Sequence, residues 1–98
     1  MDIDLTGKTA VVTGATGELG RVIARALARC GADVAVHFHS NRERATLLRT
    51  EIEAMGKRAA IFQADVTCRS EVFAMRAAVT EQLGAPDIVV TNAVIQYD

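Results

Sequence analysis

With 98 residues, 50% of them hydrophobic and 23% charged, the chain has room for a single domain with a modest core. Its net charge of -1 at pH 7, with basic residues scattered rather than clustered, gives no electrostatic case for nucleic acid or an anionic membrane as a partner. Met1-Asp2-Ile3-Asp4 carries acids where a signal peptide carries bases, no apolar run approaches a membrane span, and Cys30 and Cys68 lie far apart outside any C-x-x-C spacing. A cytoplasmic protein with reduced thiols is expected.

After a polar lead-in, Asp4 to Lys8, the stretch Thr9 to Thr13 is short and β-branched, apolar through its middle. That suits a central parallel strand covered on both faces. Glycines follow at 14, 17 and 20, and a helix is expected from about Leu19 to Arg29. Its apolar stripe would be Leu19, Val22, Ile23, Ala26, Leu27 and Cys30, with Gly31 as C-terminal cap. Asp33 to His39 reads as a second strand, with Val34, Val36 and Phe38 on one face and Ala35, His37 and His39 on the other. Ser40-Asn41-Arg42-Glu43 fits a capping box with Ser40 as N-cap. The helix it opens runs to about Met55, turning Ala45, Leu48, Ile52 and Met55 inward, and Gly56 stops it.

Arg58 to Gln63 is the third strand, leading into Ala64-Asp65-Val66. A third helix starts at Thr67 or Ser70, faces the core with Val72, Met75, Val79 and Leu83, and is broken by Gly84-Ala85-Pro86. Asp87 to Thr91 is a fourth strand, followed by Asn92-Ala93; Val94 to Asp98 has no assignment. Strands alternating with helices predict one α/β domain over residues 1–98. This is a three-layer, doubly wound Rossmann unit with four parallel strands in the order 3-2-1-4 and right-handed crossovers. Ligands bind at the carboxyl ends of such strands, at the reversal between strands 1 and 4. Gly14, His39, Asp65 and Asn92 all fall at those ends.

Strand, glycine turn, helix is the arrangement that holds a dinucleotide's pyrophosphate. Gly14 permits the tight turn, and Gly17 or Gly20 lets backbone amides approach a phosphate and lets helix and strand pack closely. A carboxylate at the end of strand 2 would hold the ribose 2′-hydroxyl of NAD. Here His39, Ser40, Asn41 and Arg42 stand instead. Arg42 can pair with a 2′-phosphate and Ser40 can donate to it, so NADP is expected rather than NAD. The plainer alternative is that Ser40 only caps its helix and Arg42 is a solvated charge. Glu18 favours the first helical turn by roughly 0.3–1 kcal/mol through the helix dipole. Beside a pyrophosphate it repels, so it is expected to point outward. His37 and His39 share a strand face, but no third ligand lies near, so no metal is expected.

On these residues the chain resembles the short-chain dehydrogenase/reductase family over essentially its whole length. Thr13 to Gly20 resembles the family's cofactor turn, which implies cofactor contacts at Gly14, Thr16, Gly17, Glu18 and Leu19. Ala64-Asp65-Val66 resembles its Asp-Val, implying that Asp65 takes the adenine amino group and Val66 packs on the ring. Thr91-Asn92-Ala93-Val94 resembles its Asn-Asn-Ala-Gly segment, implying Asn92 and Ala93 near the nicotinamide ribose. The short-form turn Thr-Gly-x-x-x-Gly-x-Gly needs glycine at 18, whereas this chain has Glu18 and fits the extended-branch spacing Thr-Gly-x-x-Gly-x-x-Gly.

The family's catalytic Tyr-x-x-x-Lys and Ser lie beyond the fourth strand. The one tyrosine here, Tyr97, has no lysine four residues on, so no catalytic group is named. The resemblance implies the cofactor-binding half of a reductase acting on a carbonyl or alcohol substrate. The alternatives are a non-catalytic dinucleotide-binding or assembly module, or a truncation with little function. Strand 4 would expose Ile88, Val89 and Val90 at a sheet edge, so a homo-oligomer or further chain covering it is expected.

Overall fold

A computed structural model of the chain describes residues 3–91. The elements are β1 (Thr9–Val12), α1 (Glu18–Arg29), β2 (Asp33–Phe38), α2 (Arg42–Ala54), β3 (Ala59–Gln63), α3 (Arg69–Gln82) and β4 (Ile88–Val90). All strand pairs are parallel and the sheet order is β3-β2-β1-β4, so the expected Rossmann topology is the one observed. Expected Asn92 and Ala93, with Val94 to Asp98, lie outside the described residues.

The alternation of β2 divides the core as the sequence implies. Val34, Val36 and Phe38 pack with Val12, Ala24, Ala28, Ala45, Leu48 and Ile52 beneath α1 and α2. Ala35 packs with Val11, Phe62, Val79 and Leu83 beneath α3. Phe38, Leu48 and Ile52 are fully buried, each contributing about 1.5–3 kcal/mol relative to exposure. The first core is the larger, and it anchors the strand ends from which the site is built.

Two sequence expectations are corrected here. The apolar stripe of α1 does not face inward as a whole: Leu19 and Val22 are 60% and 59% exposed, while Gly20, Ala24 and Ala28 are buried. Small residues spaced by four let α1 lie close against β1, and Ile23 and Leu27 fill its flank. Ser40 does not cap α2. Asn41 does, its Oδ1 accepting from the Arg44 amide at 3.1 Å, which shifts the helix start by one residue. α3 starts at Arg69 with Cys68 at its cap, between the two starts the sequence suggested.

β4 is an edge strand among the described residues, paired with β1, and Val89 on it is 62% exposed. No helix among the described residues is long and apolar enough to cross a membrane. Cys30 and Cys68 are free thiols, both half-buried.

Candidate functional site

A cleft of about 880 Å³ opens at the carboxyl ends of the strands and runs on along the α3 side of the sheet past Val11, Val79 and Pro86. The β1 turn contributes Thr13, Gly14, Thr16 and Gly17, and the exit of β2 contributes His37, His39, Ser40, Asn41 and Arg44. The exit of β3 contributes Ala64, Asp65 and Val66, while Val72, Met75 and Arg76 of α3 form a wall. Val89 and Thr91 border it from β4. Three of the four stretches that the sequence assigned to one crevice, those at Gly14, His39 and Asp65, line it together; the fourth, at Asn92, lies outside the described residues.

The turn is held by backbone geometry. Gly14 has φ 62°, the left-handed region that disfavours side chains. Thr13 donates its amide to the Val90 carbonyl at 3.0 Å, tying the turn to β4, and Ala15 donates to the His37 carbonyl at 3.0 Å, tying it to β2. The Gly17 amide donates to the Gly14 carbonyl at 3.2 Å, closing the turn. The three glycines then separate in role. A Cβ on Gly20 would fall within the contact radius of the Gly14 carbonyl oxygen and 2.8 Å from Ala15 Cα. A Cβ on Gly17 would meet only that carbonyl oxygen, at an ordinary 3.6 Å. Gly20 therefore serves helix–strand packing, while Gly17 is exposed at the cleft and no atom of the described residues requires it to be glycine. The amino end of α1 points its free amides and positive dipole end toward this turn, the environment an anion favours.

Three of the expected cofactor residues stand off the cleft. Glu18 and Leu19 are exposed on the first turn of α1 and do not line it. Arg42 lies with its Cζ 5.3 Å from the Phe38 ring centroid, and its Nη2 donates to Gln63 Oε1 at 3.4 Å. Phe38 faces the α1/α2 side of the sheet, so the stacking draws Arg42 away from the cleft. Arg44 lines it instead. The sequence reading missed Arg44 because it set the cap at Ser40. With Asn41 as cap, the third helical residue is Arg44.

Asp65 borders the cleft in a local turn: Oδ1 accepts from the Thr67 amide at 2.9 Å and from the Thr67 hydroxyl at 2.6 Å. The Thr67 hydroxyl bond, then its amide bond, holds the Asp65 carboxyl below its usual range, against a small desolvation cost, with His39 adding a favourable charge. Asp65 is thus an ionised acceptor fixed at the cleft wall, and Val66 beside it is 56% exposed, an apolar surface open to a planar ring. His39 is exposed at the rim. No group of three or more His, Cys, Asp or Glu among the described residues is placed to hold a metal ion.

Because Glu18 is exposed and off the cleft, its cost to a bound pyrophosphate is bounded by the water value, about 1 kcal/mol for unit charges at ~4 Å. Glu18→Gly is expected to tighten the binding of a dinucleotide at the turn by no more than about fivefold, while destabilising α1 by about 1 kcal/mol through glycine's helix cost. Fluorescence titration and thermal melting of the variant check both. An unchanged dissociation constant makes the charge argument idle.

The sequence profile of a family described as short chain dehydrogenase matches residues 8–98. A 3-oxoacyl-[acyl-carrier-protein] reductase FabG of Staphylococcus aureus is 42% identical over 91 residues, 93% of this chain and 37% of that protein. Hydroxynaphthalene reductase arp2 of Aspergillus fumigatus is 37% identical over 93% of this chain and 33% of its own length. A dehydrogenase/reductase from Sinorhizobium meliloti superposes with a TM-score of 0.92 at 38% identity, covering 98% of this chain and 38% of that one. A short chain dehydrogenase from Burkholderia cenocepacia in complex with NADP superposes with a TM-score of 0.88 at 43% identity, covering 93% of this chain and 37% of that one. The chain therefore spans little more than a third of the length of these proteins.

Proposed function

The chain belongs to the short-chain dehydrogenase/reductase family, and on that premise we propose that it is the amino-terminal, cofactor-binding part of an NADP(H)-dependent oxidoreductase. Its substrate is a carbonyl compound or the corresponding alcohol. The observation that carries this reading is the convergence of the β1 turn, the β2 exit and the β3 exit on one cleft at the sheet's topological reversal. The residues fit the group. Gly17 leaves its Cβ position open at the amino end of α1, where a pyrophosphate would take the backbone amides. Asp65 and Val66 would receive the adenine, and Asn92 and Ala93 the nicotinamide ribose. When bound, the cofactor supplies or accepts the hydride.

The preference for NADP rests on the β2 exit. The residues that line the cleft there are His39, Ser40, Asn41 and Arg44, with no carboxylate among them. Arg44 and the Ser40 hydroxyl would hold a 2′-phosphate, and no acid is in place to take a 2′-hydroxyl from that side. The Burkholderia relative's complex with NADP supports the same reading. The open β4 edge supports cover by a second copy or by further chain, and the free cysteines agree with a reducing, cytoplasmic setting.

The test is one titration of the chain with NADPH and with NADH, read by nicotinamide fluorescence. NADPH is expected to bind at least about tenfold tighter, the worth of one charge-assisted hydrogen bond. Tighter NADH binding overturns the NADP assignment, and failure to bind either overturns the dinucleotide reading. A Tyr-x-x-x-Lys encoded beyond residue 98 supports the oxidoreductase. NADPH binding without such a pair favours a non-catalytic binding module.

A further inference from the structure

His37 is a buried polar side chain on an otherwise apolar strand face, and the proposed chemistry does not use it. It stands one residue past the end of β1 and beside Phe62, one residue before the end of β3. On one side β1 has turned away at Gly14, and the Gly14 amide donates to His37 Nδ1 at 2.9 Å. On the other side His37 Nε2 reaches past the end of β3 to lie 2.8 Å from the Ala64 carbonyl oxygen. An amide can only donate and a carbonyl can only accept. Both contacts are therefore hydrogen bonds only in the neutral imidazole protonated on Nε2. The backbone of the same strand continues the pattern: the Ala15 amide donates to the His37 carbonyl at 3.0 Å, and the Ala64 amide donates to the Phe38 carbonyl at 3.3 Å. One residue thus holds two successive amides of the glycine turn, one by its side chain and one by its backbone.

We propose that His37 is a positioning residue of the dinucleotide cleft. Its neutral imidazole ties the Gly14 amide to the Ala64 carbonyl and so sets the separation between the glycine turn and the Asp65–Val66 wall. The inference rests on the dinucleotide reading given above. A pyrophosphate on the turn and an adenine on the Asp65 wall belong to one ligand, joined through a single ribose, so the spacing of the two walls enters its affinity. The Gly14 bond orients the turn, and the Ala64 bond registers the turn on β3. His39, Asp65, Arg44 and Arg76 are the charged or titratable groups that share the cleft, and neither of the two bonds involves any of them.

Three substitutions in the full chain separate the two bonds. Asparagine places an acceptor near the Nδ1 position and keeps only the Gly14 bond; glutamine places a donor near the Nε2 position and keeps only the Ala64 bond; alanine keeps neither. Dissociation constants for NADPH are measured well below the lowest melting temperature of the set, beside amide exchange at Gly14. His37→Asn keeps the turn amide bonded but loses the Ala64 tether, so it is expected to weaken binding about three- to tenfold with Gly14 exchange unchanged, and an affinity equal to that of the unaltered chain overturns the spacing role. His37→Gln and His37→Ala are expected to weaken about tenfold or more, as a turn amide loses that acceptor, with faster Gly14 exchange. Tight binding by His37→Gln overturns the proposal, as does an affinity loss that follows melting temperature alike in all three. The unaltered chain gives a further reading that needs no variant to fold: its imidazole nitrogen spectrum should show Nε2 protonated and Nδ1 bare, and the opposite tautomer overturns the tie. If the unaltered chain binds no dinucleotide, the cofactor reading fails by itself, and the tautomer with the Gly14 exchange rate decides the tie.

Discussion

Gly20→Ala is expected to destabilise the fold severely, whereas Gly17→Ala leaves melting nearly unchanged and weakens dinucleotide binding. The two glycines lie three residues apart at the same helix end, and the difference follows from what each Cβ would meet. At Gly20 the new methyl would collide with the Gly14 carbonyl oxygen and sit 2.8 Å from Ala15 Cα, both backbone, so no rotamer relieves it. Either α1 lifts off β1, losing the close contact that buries Ala24 and Ala28, or the turn at Gly14 distorts. Overpacking of this kind costs about 1–3 kcal/mol or more, against about 1 kcal/mol that alanine returns through helix propensity. For a chain of this size a net loss of about 2 kcal/mol lowers the melting temperature by roughly 10 °C. At Gly17 the methyl finds ordinary contact at 3.6 Å, and φ is -72°, open to any residue. The expected stability cost is only the change of N-cap, below about 1 kcal/mol. The methyl does enter the cleft where the pyrophosphate would touch backbone, so a loss of about tenfold or more in NADPH affinity is expected. Melting curves and one titration per variant check the pair. Equal stability losses at both positions would contradict the assignment of packing to one glycine and binding to the other.

That division shows what the sequence made legible and what it left open. The element order, the parallel sheet and the 3-2-1-4 arrangement were readable because glycines and Pro86 punctuate short β-branched runs, and because β2 alternates cleanly between Val34, Val36, Phe38 and Ala35, His37. The convergence of Gly14, His39 and Asp65 followed from topology alone, since parallel strands bring their carboxyl ends to one edge. The inward face of α1 was not readable. Hydrophobicity pointed to Leu19 and Val22, but the contact distance to β1 is set by Gly20, and only small side chains follow it at spacings of four. The start of α2 was read one residue early because Ser40-x-x-Glu43 has the capping-box pattern, while only its residue type marks Asn41 as a cap. The Asn41 side chain takes the bond, and the one-residue shift changes which arginine reaches the cleft. His37 was visible only as half of a histidine pair; its two partners are backbone atoms 23 and 27 residues away in sequence, which no local pattern reports.

The shift from Arg42 to Arg44 carries the second large prediction. Arg44→Ala is expected to lower NADPH affinity by about 10- to 150-fold while leaving NADH affinity within about twofold. The magnitude is that of a hydrogen bond to a charged group, about 1.5–3 kcal/mol. The selectivity arises because the two cofactors differ only at the 2′ position. The substitution leaves the helix cap intact, since Asn41 accepts from the Arg44 backbone amide and not from its side chain. Melting is therefore expected to stay within about 0.5 kcal/mol, the range of a surface change. Arg42→Ala is the matched control. Its guanidinium stacks on Phe38 and reaches Gln63, so its loss removes a cation–π contact of about 0.5–1 kcal/mol and shows in melting rather than in cofactor choice. Raising the salt concentration should narrow the gap between NADPH and NADH in the unaltered chain and leave it flat in Arg44→Ala, because an exposed guanidinium–phosphate pair is screened within about 10 Å at 0.1 M. If instead Arg42→Ala alone removes the preference, the cofactor reaches across to the Phe38 side and the cleft wall drawn through Arg44 is misplaced. If neither arginine matters, no guanidinium reads the 2′-phosphate at the β2 exit, and the case for NADP falls back on Ser40 and the Asn41 side chain there.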